Sequence, residues 1–256
     1  MGRSEPEIVY FSDEEFAKRV VGDSIFKLWQ AVDDLARLRP RRRPRYRVTI
    51  FGSARARPGT LAYRHTGQLA LALARMGCDI VTGGGPGLMR AANEGALRAG
   101  RGQKSSIGIR VDLRAEQKAN PFVGTSYEHR TFFSRLQHFV LLSDAFLVVT
   151  GGIGTTLEAM MIWQLLQVRK IYNTPLVFVG PQWADLVDWA RRHMLRAKPP
   201  LADPRDLVIP HCVNTVEEAT EIVRRHREKW ANNGRRQTPE RRRNGKNLPR
   251  KDRHTW

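Results

Sequence analysis

From Tyr46 onward, short runs rich in β-branched and aromatic residues alternate with longer segments whose apolar positions recur at helical spacing. The short runs are Val48–Phe51, Asp79–Thr82, Ser106–Arg110, Phe146–Val149, Leu176–Val179 and Leu207–Ile209. The helical segments are Leu61–Met76, Gly87–Ala99, Phe132–Ser143, Thr155–Val168, Trp183–Leu195 and Val216–Trp230. Strand followed by helix at this spacing predicts a parallel sheet, because parallel neighbours need crossover connections. The expected fold is α/β, a Rossmann-like doubly wound parallel sheet with helices on both faces. In such sheets ligands sit beyond the carboxyl ends of the strands, so the loops leaving the strands are where chemistry is expected.

Upstream, Ser12–Leu38 reads as a helix. Ser12 can cap it, Asp13, Glu14 and Glu15 favour its positive end, and Phe16, Val20, Ile25, Leu28, Trp29, Val32 and Leu35 form an apolar stripe interrupted at Gly22. The prolines of Arg39-Pro-Arg-Arg-Arg-Pro-Arg45 end it and make a linker. The organisation expected is a helical arm with an Arg/Pro linker (1–45), a nucleotide-binding catalytic domain (46–231) and a basic disordered tail (232–256).

The formal charge of +19 changes this picture less than its size implies. Residues 234–256 hold nine Lys or Arg against Glu240 and Asp252, and Arg37–Arg47 holds seven Arg and no acid. The remainder is mildly basic, so the expectation is a solvated tail, with a weak, non-specific polyanion contact through it as the alternative, rather than a nucleic-acid-binding body. Cys78 and Cys212 make neither a disulfide framework nor a zinc-ligand pattern, and no metal is expected. With no apolar signal core and no stretch approaching the roughly 20 apolar residues of a membrane span, the expected location is the cytoplasm, with no membrane partner.

Three post-strand loops carry candidate chemistry. The first, Gly52-Ser-Ala-Arg-Ala-Arg-Pro-Gly59, offers a tight turn at Gly52, a hydroxyl at Ser53 and charge at Arg55 and Arg57; alone it also fits an ordinary strand-to-helix turn. The second, Thr82-Gly-Gly-Gly-Pro-Gly-Leu-Met89, puts Gly83, Gly84, Gly85 and Gly87 at the start of a helix, an arrangement that lets backbone amides approach an anion closely. It lacks both the GxGxxG spacing and the Gly-Lys-Ser/Thr of a P-loop. The third, Thr150-Gly-Gly-Ile-Gly-Thr-Thr-Leu-Glu158, adds Gly151, Gly152, Gly154 and the hydroxyls of Thr155 and Thr156 at another helix N-terminus. Glu158 is expected in the first turn of that helix, close to the bound group or simply beside the dipole. Arg135, on the helix entering the preceding strand, is either aimed at the same site or solvated.

The segment Thr82-GGGPGLM-Met89 followed by AANEGA, and Gly151-Gly-x-Gly-Thr-x-x-Glu158 sixteen residues after Arg135, resemble the LOG family of cytokinin-activating phosphoribohydrolases, often labelled lysine decarboxylase-like. The resemblance covers about residues 46–230. It implies a homodimer that hydrolyses the N-glycosidic bond of purine nucleoside 5′-monophosphates, AMP or N6-modified AMP, to free base and ribose 5-phosphate. Arg135 and Glu158 are then catalytic; Gly52, Ser53, Gly83, Gly84, Gly85, Gly87, Met89, Gly151, Gly152, Gly154, Thr155 and Thr156 hold substrate and phosphate. No cofactor is required. Three positions depart from the family pattern: Leu136 stands where it has lysine, Thr150 where it has proline, and Leu157 where an acid is common.

The decarboxylase label has no support in the residues, since pyridoxal phosphate chemistry needs a Schiff-base lysine and none lies between Lys118 and Lys170. The competing reading is a non-catalytic sensor or carrier of a nucleotide or pterin cofactor on the same fold. His129 and His138 read as surface or packing groups, and Trp163, Trp183 and Trp189 as packing or dimer contacts. Asn120, Tyr127 and His129 could shape a base pocket. The preferred base and the physiological role are not specified by the sequence.

Overall fold

The computed structural model describes residues 45–111 and 119–236. The expected N-terminal helix and residues 237–256 of the expected tail lie outside the described residues. Strands and helices alternate as β1 (Arg47–Phe51), α1 (Leu61–Arg75), β2 (Asp79–Thr82), α2 (Leu88–Arg98), β3 (Ser106–Val111), β4 (Thr125–His129), α3 (Phe132–Leu142), β5 (Ala145–Val148), α4 (Ile153–Gln167), β6 (Leu176–Val179), α5 (Pro181–Ala190), β7 (Pro210–Val213) and α6 (Val216–Arg236).

All paired strands are parallel, in the order β4-β3-β2-β1-β5-β6-β7. Val48 of β1 stands opposite Ile80 on one side and Ala145 on the other, which places β1 at the point where the winding reverses. The loops leaving β1 and β5 therefore part to opposite faces and leave a crevice between them. Helices α1, α2 and α6 cover one face, with Leu69, Leu73, Ala92 and Val223 packed on Val48, Ile50 and Ile80. Helices α3, α4 and α5 cover the other, through Phe139, Ile162, Trp163 and Trp183 against Phe51, Phe146 and Phe178. The near-continuous apolar strands are what burial on both faces demands.

The structure departs from the pattern-based elements in several places. Residues 125–129, expected as loop, form the edge strand β4; Ser126, Tyr127 and Glu128 are exposed, so no apolar run betrays it. The apolar run Leu207–Ile209 is not a strand. Asp203 caps a 3-10 turn over Pro204–Val208, and β7 begins at Pro210, a residue tolerated there because it opens an edge strand. Helix α5 ends at Ala190 and passes into a π turn over Arg191–Leu195. Helix α4 starts at Ile153 rather than Thr155, which places Glu158 one turn deeper than the first. Trp163 and Trp183 are buried, whereas Trp189 is half exposed.

Candidate active site

Ser53 joins the three glycine loops. Its amide donates to the Thr150 carbonyl (3.0 Å), and its own carbonyl accepts from Leu88 N (2.8 Å), the first amide of α2. Gly52 is required beside it, since a β-carbon there would sit 2.6 Å from Val149 Cγ2 and 3.0 Å from Leu88 Cβ. The N-termini of α2 and α4 are thereby drawn to one crevice at the carboxyl edge of the sheet. Gly87, at φ +66°, turns the chain into α2, and a β-carbon on it would strike the backbone of Ser53 and Ala54. This contact explains a glycine there without invoking a ligand.

The second loop is shaped from beneath by a buried polar network. Thr82 Oγ1 donates to Asn93 Oδ1 (2.7 Å) and accepts from Gly84 N (2.9 Å). Asn120 donates from Nδ2 to Asn93 Oδ1 (3.0 Å) and to the Gly85 carbonyl (2.9 Å), and from its backbone to the Gly84 carbonyl (2.9 Å). Asn120 therefore braces loop backbone rather than lining a base pocket. Asn93 was not singled out from the sequence, although a lone amide on the apolar face of α2 is the signal that marks it.

Arg135 and Glu158 meet at this crevice. Arg135 Nη1 lies 3.3 Å from Glu158 Oε1, with side-chain exposures of 11% and 12%. The Arg135 Nε donates to the Ile109 carbonyl (2.9 Å), and its guanidinium lies over the Phe139 ring at 5.2 Å. Its Nη2 fills the space above Gly83, where a β-carbon would collide with it and come within 2.6 Å of Met89 Sδ. Four contacts thus fix the guanidinium, and neither the solvated-arginine nor the surface dipole-partner account fits this pair. Burial pushes the Glu158 carboxyl up to about 7, against the opposing pull of Arg135. Burial also lowers Arg135, while Glu158 works to raise it.

In the third loop, Gly151 leaves room for the Thr155 side chain, which packs where a β-carbon would be, while Gly152 and Gly154 face open space. Thr156 Oγ1 donates back to the Gly152 carbonyl (3.1 Å). The amides at the start of α4 have no intrahelical acceptor. Gln182 of α5, which sequence reasoning did not mark, hydrogen-bonds Gly151 through both its backbone groups.

The positions that depart from the family pattern have distinct fates. Leu136 is buried, so the family's lysine position here faces apolar packing. Thr150 is exposed and lends its carbonyl to Ser53, and Leu157 is half exposed. His129 and His138 touch each other (Nε2 to Nδ1, 2.8 Å), with Ser134 Oγ on the other His129 nitrogen (3.1 Å). Burial and then the Arg135 charge lower His129.

A sequence model of one protein family, described as "Possible lysine decarboxylase", matches residues 89–223. The chain belongs to this LOG-like family. Its fold is similar to that of a molybdenum cofactor carrier protein from Chlamydomonas reinhardtii (18% identity, 72% of this chain and 99% of that one, TM-score 0.53). It is likewise similar to a molybdenum cofactor binding protein from Rippkaea orientalis (21% identity, 72% and 96%, TM-score 0.53). No curated protein matches the chain.

The described residues offer no amine for the cofactor that the family's description implies. Among the described residues the lysines are Lys104, Lys170, Lys198 and Lys229, all on segments entering strands or on the later halves and ends of helices, away from the loops that leave β1, β2 and β5. A Schiff base to pyridoxal phosphate has no amine there. An apolar cavity of about 170 Å³ between α4 and α5, lined by Met160, Trp163, Leu186, Trp189 and Met194, contains none of the candidate site residues. Among the described residues no group of three or more His, Cys, Asp or Glu side chains is placed to hold a metal, and no helix is long and apolar enough to cross a membrane.

Proposed function

We propose that this chain hydrolyses the N-glycosidic bond of a purine nucleoside 5′-monophosphate, releasing free base and ribose 5-phosphate. The observation that carries the reading is the buried Arg135–Glu158 pair at 3.3 Å, beside glycine loops whose helix N-termini converge. The α4 amides suit the 5′-phosphate. Binding energy spent there positions the ribose for attack.

As the C1′–N bond breaks, its electron pair leaves with the base and positive charge develops on the sugar. The ionised Glu158 stabilises that charge and takes a proton from the attacking water, whose oxygen bonds to C1′. The departing base then takes up a proton. Arg135 orients the carboxylate and contacts ribose or phosphate.

A homodimer belongs to this reading. Ile153, Leu157 and Met160 recur at helical spacing on the outer face of α4, exposed by 89%, 51% and 37%. A second copy would cover such a stripe, and the mass in solution by light scattering tests it.

The second reading is a carrier or sensor of a nucleotide or pterin cofactor. It draws on the molybdenum cofactor proteins that share the fold, and on the apolar, buried Leu136 in place of a lysine. One chromatographic assay separates the two. Protein incubated with AMP, GMP, CMP, UMP and adenosine releases base from the purine monophosphate but not from adenosine, and Glu158→Gln loses most of that release. Nucleotide binding without release favours the carrier.

A further inference from the structure

Gln182 sits at the second residue of α5, on the element next to the third glycine loop. Its carboxamide makes a two-point contact with one residue: Oε1 accepts from Gly151 N (3.1 Å), and Nε2 donates to the Gly151 carbonyl (2.7 Å). The next residue, Trp183, donates from Nε1 to the Val149 carbonyl (3.3 Å). The start of α5 therefore grips the backbone on both sides of Thr150, the residue whose carbonyl receives Ser53.

The approach depends on Gly180, which stands at φ +106° and ends β6 with an amide bonded to the Val213 carbonyl (2.8 Å). A residue with a β-carbon adopts that conformation only with strain. Pro181 then opens α5, where its missing amide costs nothing. The local sequence Gly180-Pro-Gln-Trp183 thus aims two side chains at the loop.

This contact has a consequence for how an anion is held. The Gly151 amide is already engaged, and the Thr156 hydroxyl gives its proton to the Gly152 carbonyl (3.1 Å). Thr155 is buried against Gly151. By helix geometry the first amides of α4, at Ile153, Gly154 and Thr155, have no intrahelical acceptor and are the donors left for an anion.

We propose that Gln182 is a positioning residue for the anion site: by clamping Gly151 it sets the loop so that the α4 amides, and not the Gly151 amide, receive the substrate phosphate. This rests on the reading of the crevice as a nucleoside monophosphate site. Gln182 is exposed, so replacing it removes the clamp without opening the core. Glutamate is the informative variant, because an ionised carboxylate can accept from Gly151 N but cannot donate to its carbonyl, and it adds a negative charge beside the anion.

The test is binding of AMP and of adenosine by calorimetry to wild type, Gln182→Ala and Gln182→Glu, with amide hydrogen exchange read across residues 149–156. AMP affinity should fall about tenfold in Gln182→Ala and further in Gln182→Glu. Adenosine affinity should hold, and the Gly151 amide should exchange faster in Gln182→Ala. Equal AMP affinity in wild type and Gln182→Ala, or parallel loss of adenosine, overturns the proposal. Because affinity is the readout, a wild type that binds AMP but releases no base defeats the hydrolase reading and leaves this one standing. A wild type that binds no AMP defeats both.

Discussion

Arg135 Nη1 stands 3.3 Å from Glu158 Oε1, yet the carboxyl is pushed up to about 7 because burial outweighs the neighbouring charge. Neutral pH thus lies on the titration of the group that the proposed reaction needs ionised. The acid limb of kcat/KM for AMP is expected to inflect at about 7, with activity rising as pH increases through it. Glu158→Gln should lower turnover by roughly 10²–10⁴-fold across the profile while still binding AMP. A profile flat from pH 6 to 8 in the wild type removes Glu158 from the chemical step.

The same shift governs stability, with the opposite preference. Below pH 4.5, the ordinary value, the carboxyl is protonated in folded and unfolded chains alike and costs nothing. Between 4.5 and about 7 the unfolded chain ionises first, so stability falls as pH rises, and above about 7 the loss is complete. Glu158→Gln should therefore be more stable than wild type at pH 8, by on the order of 1–3 kcal/mol, and indistinguishable near pH 4. Urea melts at the two pH values check it.

Among the described residues Arg135 supplies the pull that favours the ionised carboxylate in this balance. Arg135→Met keeps the contact with Phe139 but removes the charge, so the inflection should move above about 7 and turnover at pH 7 should drop by about 10²-fold. Arg135→Lys restores charge without the Nε–Ile109 bond, and it should hold the inflection closer to the wild-type value than Arg135→Met does. Identical pH profiles for the two variants would show that Arg135 acts on something other than Glu158.

The parts of this site that chain pattern reveals are those with short-range signatures. Glycine runs after apolar strands locate the three loops, because the side chains of Val149 and Leu88 at Gly52, and the backbone of Ser53 and Ala54 at Gly87, leave no room for a β-carbon. Alternating runs give the parallel sheet, whose strands are apolar on both faces. The edge strand β4 escapes because its outward residues are polar, and Leu207–Ile209 misleads because an apolar run can fill a turn as well as a strand. Long-range partners leave no local trace: Gln182 is 31 residues from the peptide it holds, and Asn120 is 27 from Asn93. The pairing of Arg135 with Glu158 is visible in advance only through the family resemblance.

Asn93 is fully buried and serves Thr82, Asn120 and Ser106 at once. Asn93→Ala leaves the buried Thr82 hydroxyl without its acceptor and takes one bond each from Asn120 and Ser106, which keep the Gly85 and Phe122 carbonyls. A buried unsatisfied polar group costs about 1–3 kcal/mol, so the loss of stability should reach about 3 kcal/mol. Since Thr82 and Asn120 hold Gly84 and Gly85, AMP affinity should fall as well. Full stability with unaltered affinity in denaturant melts and titrations would show that the network is dispensable.

Two glycines of the second loop should separate chemistry from folding. At Gly83 an added methyl meets the far end of the Arg135 side chain and Met89 Sδ, flexible groups that can move. Gly83→Ala should thus fold with a loss of only about 1 kcal/mol while displacing the guanidinium, and turnover should drop by about 10²-fold. At Gly87 the same methyl meets the fixed backbone of Ser53 and Ala54, and φ is +66°, a conformation that costs alanine roughly 1–2 kcal/mol before any clash. Gly87→Ala should therefore lose about 3 kcal/mol or more and reduce soluble yield. If Gly83→Ala instead retains full turnover, Arg135 does not need the place above Gly83 for catalysis, and the loop's first glycine is there for packing alone.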